Sequence, residues 1–344
     1  MTVSLLAGLT GVGLAAAGVS AALVRLLFPL MQRYALARPN ARSSHRVPTP
    51  QGGGIAVLAA VLAAGGAGVW ILAPAALLPL AVVAVAAVAL AVVGAMDDIR
   101  PLPVLPRLAI QIGAVAFGLI AAGDIRLFPA ILPAPVEFVL VVLAGVWFVN
   151  LVNFMDGLDW ITVAEVVPVT AALAAFTLMG ALPIDVGIVA VGLCGAMIGF
   201  APFNRPVARL FLGDVGSLPI GLILGFMLYR LAGGGHLAAA LLLPLYYLAD
   251  ATLTLLLRLK RGEKVWQAHR SHFYQRATDN GFTVMDVVGT VFALNLGLAA
   301  LATAALLVDG PLVTAGLVVA GIGAVAVVLA RFSRPRPALA GRRG

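Results

Sequence analysis

From residue 75 to residue 95 the chain reads AALLPLAVVAVAAVALAVVGA, twenty-one residues without a charged or hydrogen-bonding side chain. At 1.5 Å per residue a helix of this length spans the roughly 30 Å hydrocarbon core of a bilayer. Lipid offers no partners to backbone amides, so a spanning segment must be a helix or part of a closed barrel. The run is continuous rather than alternating, which selects a helix. Comparable runs recur at about 3–31, 53–73, 104–122, 135–152, 160–180, 183–202, 215–232, 236–258, 284–307 and 310–331, with Pro74 marking a tight break after the second span. Only 10% of the residues are charged, against about 25% in a soluble domain. The expected fold is therefore all-α, a polytopic integral membrane protein of about eleven transmembrane helices forming one domain over residues 1–344.

The single cysteine, Cys194, excludes an intrachain disulfide and lies in an apolar run, where it reads as a small core side chain. Residues 1–24 contain no Lys or Arg, so the basic start of a secretory signal peptide is missing. The formal net charge is +8, which by itself invites nucleic acid as a partner. Topology accounts for it instead. Nineteen of the 22 Lys and Arg residues fall on one side of the eleven-span arrangement, in loops near 32–52, 96–107, 203–214 and 258–283 and in the tail at 332–344 with its flanking Arg331. The positive-inside rule makes that side cytoplasmic. The N-terminus is then outside and the C-terminus inside, in a plasma (inner) membrane. Asp97, Asp98, Asp156, Asp159, Asp214, Glu263 and Asp279 fall on the same side, including the short loop at 150–160. Ionisable groups at membrane depth are functional by default, so function is expected on the cytoplasmic face.

Five stretches carry the polar chemistry. GAMDDIRPL places Asp97 and Asp98 at a helix end. Adjacent carboxylates repel, and a divalent cation or a held proton relieves the repulsion; the plainer reading is a solvated end paired with Arg100. NLVNFMDGLD places Asn150, Asn153, Asp156 and Asp159 three residues apart. Three such steps drift about 180° around a regular α-helix, so the helix must tighten or stop near Gly157. FNRPVARLFLGDVGSLPIG sets Asp214 between Gly213 and Gly216, with Asn204 and Phe211 ahead of it. A glycine-rich turn opening a helix offers N–H groups to phosphate, and one carboxylate there suits Mg²⁺. Phe211 either stacks on a base or anchors the interface. RGEKVWQAHRSHFYQR holds His269 and His272 at helical i, i+3 spacing with Arg270 and Arg276, suited to diphosphate oxygens or to a lipid headgroup. RPNARSSHRVPTPQGGG gathers Arg42, His45 and Arg46 ahead of three glycines. Asp250, inside the ninth span, is a weaker candidate that suits a partner on a neighbouring helix.

Together MDD at 96–98, NLVNFMDGLD at 150–159, NRPVARLFLGDVGS at 204–217 and HRSH at 269–272 resemble the polyprenyl-phosphate N-acetylhexosamine-1-phosphate transferases, the superfamily of the phospho-MurNAc-pentapeptide translocase and the WecA-type initiators. NFMDG with the histidine loop most resembles the WbpL/WbcO branch of O-antigen initiators. The resemblance implies transfer of N-acetylhexosamine 1-phosphate from a UDP-sugar to undecaprenyl phosphate, with UMP leaving and Mg²⁺, or Mn²⁺ in its place, as cofactor. It implies roles by motif position: Asp214 as metal ligand, with Asp156 beside it lining the metal and reaction site; Asp97 and Asp98 assisting the lipid phosphate or metal; His269 and His272 near the diphosphate. Asn153, Asp159, Asn204 and Phe211 fall at nucleotide-side positions, and Arg46 and Arg270 belong to basic loops facing the substrates. The implied partners are the two substrates and the bilayer, without nucleic acid; a homodimer stays open. Many relatives have a second Asp-Gly where this chain has Asp159-Trp160, so Trp160 bears on the turn and on sugar choice. The triple-histidine cluster of the translocase branch is absent. The competing reading, an ion-coupled transporter, would place its carboxylates near the midplane, whereas here they crowd one face.

Overall fold

The structure is a computed structural model and describes residues 2–37, 48–264, 269–308 and 310–336. It is helical throughout, apart from one antiparallel pair of two-residue strands, β1 (Leu36–Ala37) and β2 (Thr49–Pro50). The helices are α1 (Thr2–Tyr34), α2 (Gly54–Ala60), α3 (Gly66–Leu72), α4 (Leu77–Ile99), α5 (Val104–Ala121), α6 (Ala134–Met155), α7 (Ile161–Leu178), α8 (Ile184–Phe200), α9 (Asp214–Leu231), α10 (Leu237–Leu242), α11 (Leu245–Lys260), α12 (Phe273–Asp279), α13 (Val284–Leu307) and α14 (Pro311–Phe332). A π-turn at Val61–Gly65 joins α2 to α3 into one long element. Ten helical stretches among the described residues are long and apolar enough to cross a membrane, and the protein is a multi-pass membrane protein.

The expected ninth span, 236–258, is the one that differs. It is split into α10 and α11 by a turn at Leu243–Pro244. Proline lacks the amide a continuing helix needs and clashes with the preceding turn. Before it, Gly235 has φ 91° and breaks the run that follows α9. The chain nevertheless returns. The far end of α9 is marked by Tyr229, whose hydroxyl donates to the Ile125 carbonyl in the α5–α6 connection at 2.8 Å. Beyond α11, Tyr274 donates to the Phe154 carbonyl at 3.1 Å, at the end of α6 where the Asn/Asp loop begins. So α10 and α11 run back toward the end from which α9 started.

That end is built by close backbone approach. A Cβ at Gly94 of α4 would lie 2.3 Å from the Asp214 carbonyl, and one at Gly54 of α2 would lie 2.1 Å from Gly216 Cα. Glycine alone lets three helix ends meet there, because any side chain would occupy the neighbouring backbone. Strand β2 leads into the same junction: Phe211 N–H donates to Pro50 O, and Gly53 and Gly54 N–H donate to the carbonyls of Phe211 and Leu212, all at 2.8–2.9 Å. Gly54→Ala is expected to cost about 1–3 kcal/mol or more through overpacking. Gly113→Ala, with nothing within 4 Å of its Cβ position, is expected to be neutral. Thermal unfolding of the two variants in detergent compares them directly.

Candidate functional site

Asp98 closes the junction electrostatically. Its Oδ1 accepts from the Asp214 amide at 3.1 Å and its Oδ2 from the Val215 amide at 3.2 Å. These are the first amides of α9, which have no acceptor within their own helix, and α9 has no side-chain cap of its own. A carboxylate from another helix fills that place, where the positive end of the helix dipole favours an anion. Asp97, next in sequence, lies within side-chain reach of the Asp214 carboxyl, and its own carboxylate accepts from Arg107 Nη1 and from the Leu102 amide, both at 2.6 Å. The partner expected for this pair, Arg100, does not appear in either contact; Arg107, seven residues further and one turn into α5, takes Asp97 instead.

Asp214 stands as the first residue of α9, after Gly213 at φ 79°. Asn153 Nδ2 donates to its Oδ1 at 2.7 Å and to Ser217 Oγ at 2.9 Å. Helix α6 ends at Met155, with Asp156 as its C-cap, so the helix stops just before Gly157. Stopping there turns Asp156 back toward the same cluster. Its carboxyl accepts from the Thr162 hydroxyl. Burial among surrounding protein, followed by the charges of Asp214, Asp98 and Asp159, pushes its pKa up to about 8 against the Thr162 bond. Among the described residues no Lys, Arg or His lies within ion-pair distance of Asp98, Asp156 or Asp214. Carboxylates that destabilise one another's charge without a basic partner are the donor set a divalent cation relieves.

Asp159 and Asn204 have another geometry. Both are nearly inaccessible. Asp159 Oδ2 accepts from the Ala208 amide at 2.9 Å. Asn204 Oδ1 accepts from the Trp160 amide at 2.8 Å, and its Nδ2 donates to Leu210 O at 3.0 Å. The two side chains bind the Asn/Asp loop to the segment preceding α9. Trp160, in the same loop, has φ 64°. This left-handed conformation costs a non-glycine residue about 1–2 kcal/mol. The turn glycine would favour is thus kept with tryptophan in place, and its indole Nε1 donates to Ala201 O at 2.6 Å.

The histidine segment is not helical where helical spacing was expected. His269 precedes α12 and His272 is its N-cap, with extended backbone. Asp250, fully buried on α11, organises it. Its carboxylate accepts from the Phe273 and Tyr274 amides at 3.0 Å each and from the Tyr246 hydroxyl at 3.1 Å, and contacts His272 Nδ1 at 3.3 Å. Arg258 Nη1 meets His269 Nδ1 at 2.6 Å, and the two Nε2 atoms lie 3.2 Å apart. A guanidinium only donates, so His269 Nδ1 accepts and its Nε2 carries the proton. His272 Nε2 then accepts, leaving Nδ1–H for Asp250. One direction of donation runs from Arg258 to Asp250 and fixes both tautomers. His272 packs on Tyr274 and against Phe154, with ring centroids at 5.7 and 6.4 Å, which joins the relay to the end of α6. Arg270 turns away, to Thr278 Oγ1 at 3.1 Å and Asp279 at 3.3 Å. Arg46 lies outside the described residues.

The structure thus brings Asp97, Asp98, Asn153, Asp156 and Asp214 together, joins His269 and His272 to the end of α6 through Phe154, and has Asp159 and Asn204 bind backbone of the neighbouring loop. Sequence reasoning missed Arg107, Thr162 and Arg258, took Ser217 for a cap of α9 where it instead accepts from Asn153, and underrated Asp250. The only signal for Asp250 was a carboxylate inside a span.

Comparison with known proteins sets this helical membrane fold and its acidic junction beside a family of transferases. Residues 80–232 match the family described as Glycosyl transferase family 4; the segment runs from α4 to the end of α9 and contains the whole acidic junction. The chain is 27% identical to the decaprenyl-phosphate N-acetylglucosaminephosphotransferase of Mycobacterium leprae, over 93% of this chain and 90% of that protein. It is 29% identical to the protein of the same description from Mycolicibacterium smegmatis, over 88% and 83%. A shorter stretch, 26% of this chain and 29% of the relative, is 38% identical to the phospho-N-acetylmuramoyl-pentapeptide-transferase of Mycobacterium bovis. The chain is thus similar to phosphoglycosyltransferases of the glycosyl transferase family 4 type.

Removing Asp250 strips two amide acceptors from α12 and the partner from His272. Hydrogen bonds to charged groups are worth about 1.5–3 kcal/mol each, so Asp250→Ala is expected to lower stability by about 3 kcal/mol or more. Chemical unfolding in detergent, followed by tryptophan fluorescence, measures the loss.

Proposed function

We propose that the chain transfers N-acetylhexosamine 1-phosphate from a UDP-sugar to a polyprenyl phosphate, undecaprenyl phosphate being the expected acceptor, on the cytoplasmic face of the membrane. An oxygen of the lipid phosphate attacks the β-phosphorus, the bond from that phosphorus to the bridging oxygen breaks, and UMP leaves. The lipid keeps a diphosphate-linked sugar. The observation that carries this reading is the convergence at the mouth of α9 of Asp98, Asp156 and Asp214, none paired with a basic residue among the described residues, with Asn153 holding Asp214. The relatives' names supply the substrate class, with GlcNAc as the first sugar to test. The resemblance of NFMDG and the histidine loop to O-antigen initiators supports a role in starting a cell-envelope glycan, O-antigen among them.

Phosphoryl transfer is mostly positioning and charge neutralisation. Asp214 and Asp156 are the residues that would hold Mg²⁺. Among the described residues no group of three or more His, Cys, Asp or Glu side chains is placed to hold a metal ion by itself; Mg²⁺ typically takes one or two carboxylates and completes its shell with phosphate oxygens and water. Bound there, the ion would offset the repulsion between two anionic substrates. Asp98 serves by holding the first turn of α9, and with it Asp214, in place. Asn153 keeps the Asp214 carboxylate in one orientation. A base of high strength is unnecessary, because a phosphate monoester with a second pKa near 6 is already largely ionised at neutral pH.

Purified protein supplied with undecaprenyl phosphate, UDP-GlcNAc and Mg²⁺ is expected to release UMP. Asp214→Ala should lower the rate by about 10²-fold or more, the scale of losing one electrostatic stabiliser, without preventing membrane insertion. Full turnover by that variant would remove the metal assignment. Excess EDTA should stop the reaction and added Mg²⁺ restore it; turnover indifferent to chelator would count against metal dependence.

A further inference from the structure

Outside the acidic junction, a cavity of about 280 Å³ lies between α11 and the segment leading into α12. Four guanidinium groups line it: Arg258 from α11, Arg261 just beyond its end, Arg270 from the connecting segment and Arg276 from α12. Among the described residues two carboxylates face these four cations. Glu263 meets Arg258 at 2.7 Å and Arg261 at 4.0 Å, and Asp279 meets Arg270 at 3.3 Å. Arg276 lies over the Phe273 ring, 5.5 Å from its centroid, without a carboxylate. The cavity therefore keeps an excess of positive charge. Ser271 lines it too, and its Oγ is shielded from solvent without a hydrogen-bond partner among the described residues. A buried hydroxyl left unmatched is costly unless a ligand completes it.

The chemistry is that of a phosphate oxyanion. Arginine forks match phosphate oxygens in pairs, a hydroxyl adds one donor, and a phosphodiester supplies the missing negative charge. The location points to lipid as its source. Leu257 forms one wall, and it belongs to an exposed apolar face of α11 with Leu253 and Leu256. Arg258, Lys260 and Arg261 end that helix, where basic side chains reach the headgroup level. We propose that this cavity is a second phosphate-recognition pocket, separate from the acidic junction, which takes the headgroup phosphate of an anionic phospholipid. It shares no lining residue with Asp98, Asn153, Asp156 or Asp214. The proposal rests on the membrane-spanning fold and is independent of the transfer reaction.

The test uses the full chain, stripped of lipid in detergent and titrated separately with short-chain phosphatidylglycerol, short-chain phosphatidylcholine and inorganic phosphate. Bound molecules are counted by native mass spectrometry. Phosphatidylglycerol is expected to bind at least tenfold more tightly than phosphatidylcholine. The double substitution Arg261→Gln and Arg276→Gln should weaken it about tenfold. Ser271→Ala should weaken it a few-fold while leaving the lipid-free unfolding temperature unchanged, because the hydroxyl has no partner to lose among the described residues. Equal binding of the two lipids, or unchanged binding by both variants, would overturn the proposal. Inorganic phosphate competing at equal concentration would show that free phosphate, not lipid, is the ligand, and would overturn it as well. No turnover enters these measurements, so loss of the transferase reading would leave their outcome intact.

Discussion

The contact on which the junction depends is the one between the Asp98 carboxylate and the first two amides of α9. It links helices 116 residues apart in sequence, caps a helix that has no cap of its own, and sets the residue that begins α9, Asp214, at the meeting point of α2, α4 and α6. The contact requires backbone proximity that only small residues allow. Gly94 beside the Asp214 carbonyl and Gly54 beside Gly216 provide it. In lipid, apolar burial gives little preference for one helix neighbour over another, so close packing and polar contacts at helix ends decide the arrangement. A charged group at this depth is also expensive unless it is satisfied. Asp98 meets that cost with backbone amides and Asp97 with Arg107. Asp156 and Asp214 accept from neutral donors, Thr162 and Asn153.

The surrounding loops reinforce that division of labour. Asp159 and Asn204 spend their hydrogen bonds on backbone, tying the turn after α6 to the segment before α9. Trp160 keeps a left-handed turn and anchors its indole on Ala201. The histidine relay, held at one end by Arg258 and at the other by Asp250, packs on Tyr274 and on Phe154 at the end of α6. Rigid support of this kind is what a reaction governed by placement of two anions needs.

Much of this was legible in the chain itself. The apolar runs gave the helices because period and length leave lipid-spanning segments no other form. The three-residue polar spacing after Asn150 required α6 to tighten or stop near Gly157, and it stops at Met155. Other features lie beyond local pattern. The break at Leu243–Pro244 sits inside an unbroken apolar run, so hydropathy passes over it. Helical spacing of His269 and His272 suggested one helix face, but Asp250, nineteen and more residues earlier, draws the α12 amides to itself and makes His272 the cap instead. Nothing in the spacing of Asp97 and Asp98 tells which accepts from α9 and which from Arg107. That division depends on where α5 begins after Pro101 and Pro103. Asn204 and Asp159 carry residue types suited to ligands, and only the fold shows that Asn204 and the Asp159 Oδ2 bind backbone.

The central claim is that this acidic junction joins a sugar phosphate to a membrane lipid. The most direct measurement is a mass spectrum of the lipid fraction after purified protein has been incubated with undecaprenyl phosphate, UDP-GlcNAc and Mg²⁺. The account predicts a lipid heavier than the acceptor by one N-acetylhexosamine phosphate, formed in step with UMP. An unchanged acceptor, or sugar phosphate released to water without a lipid-linked product, would contradict it.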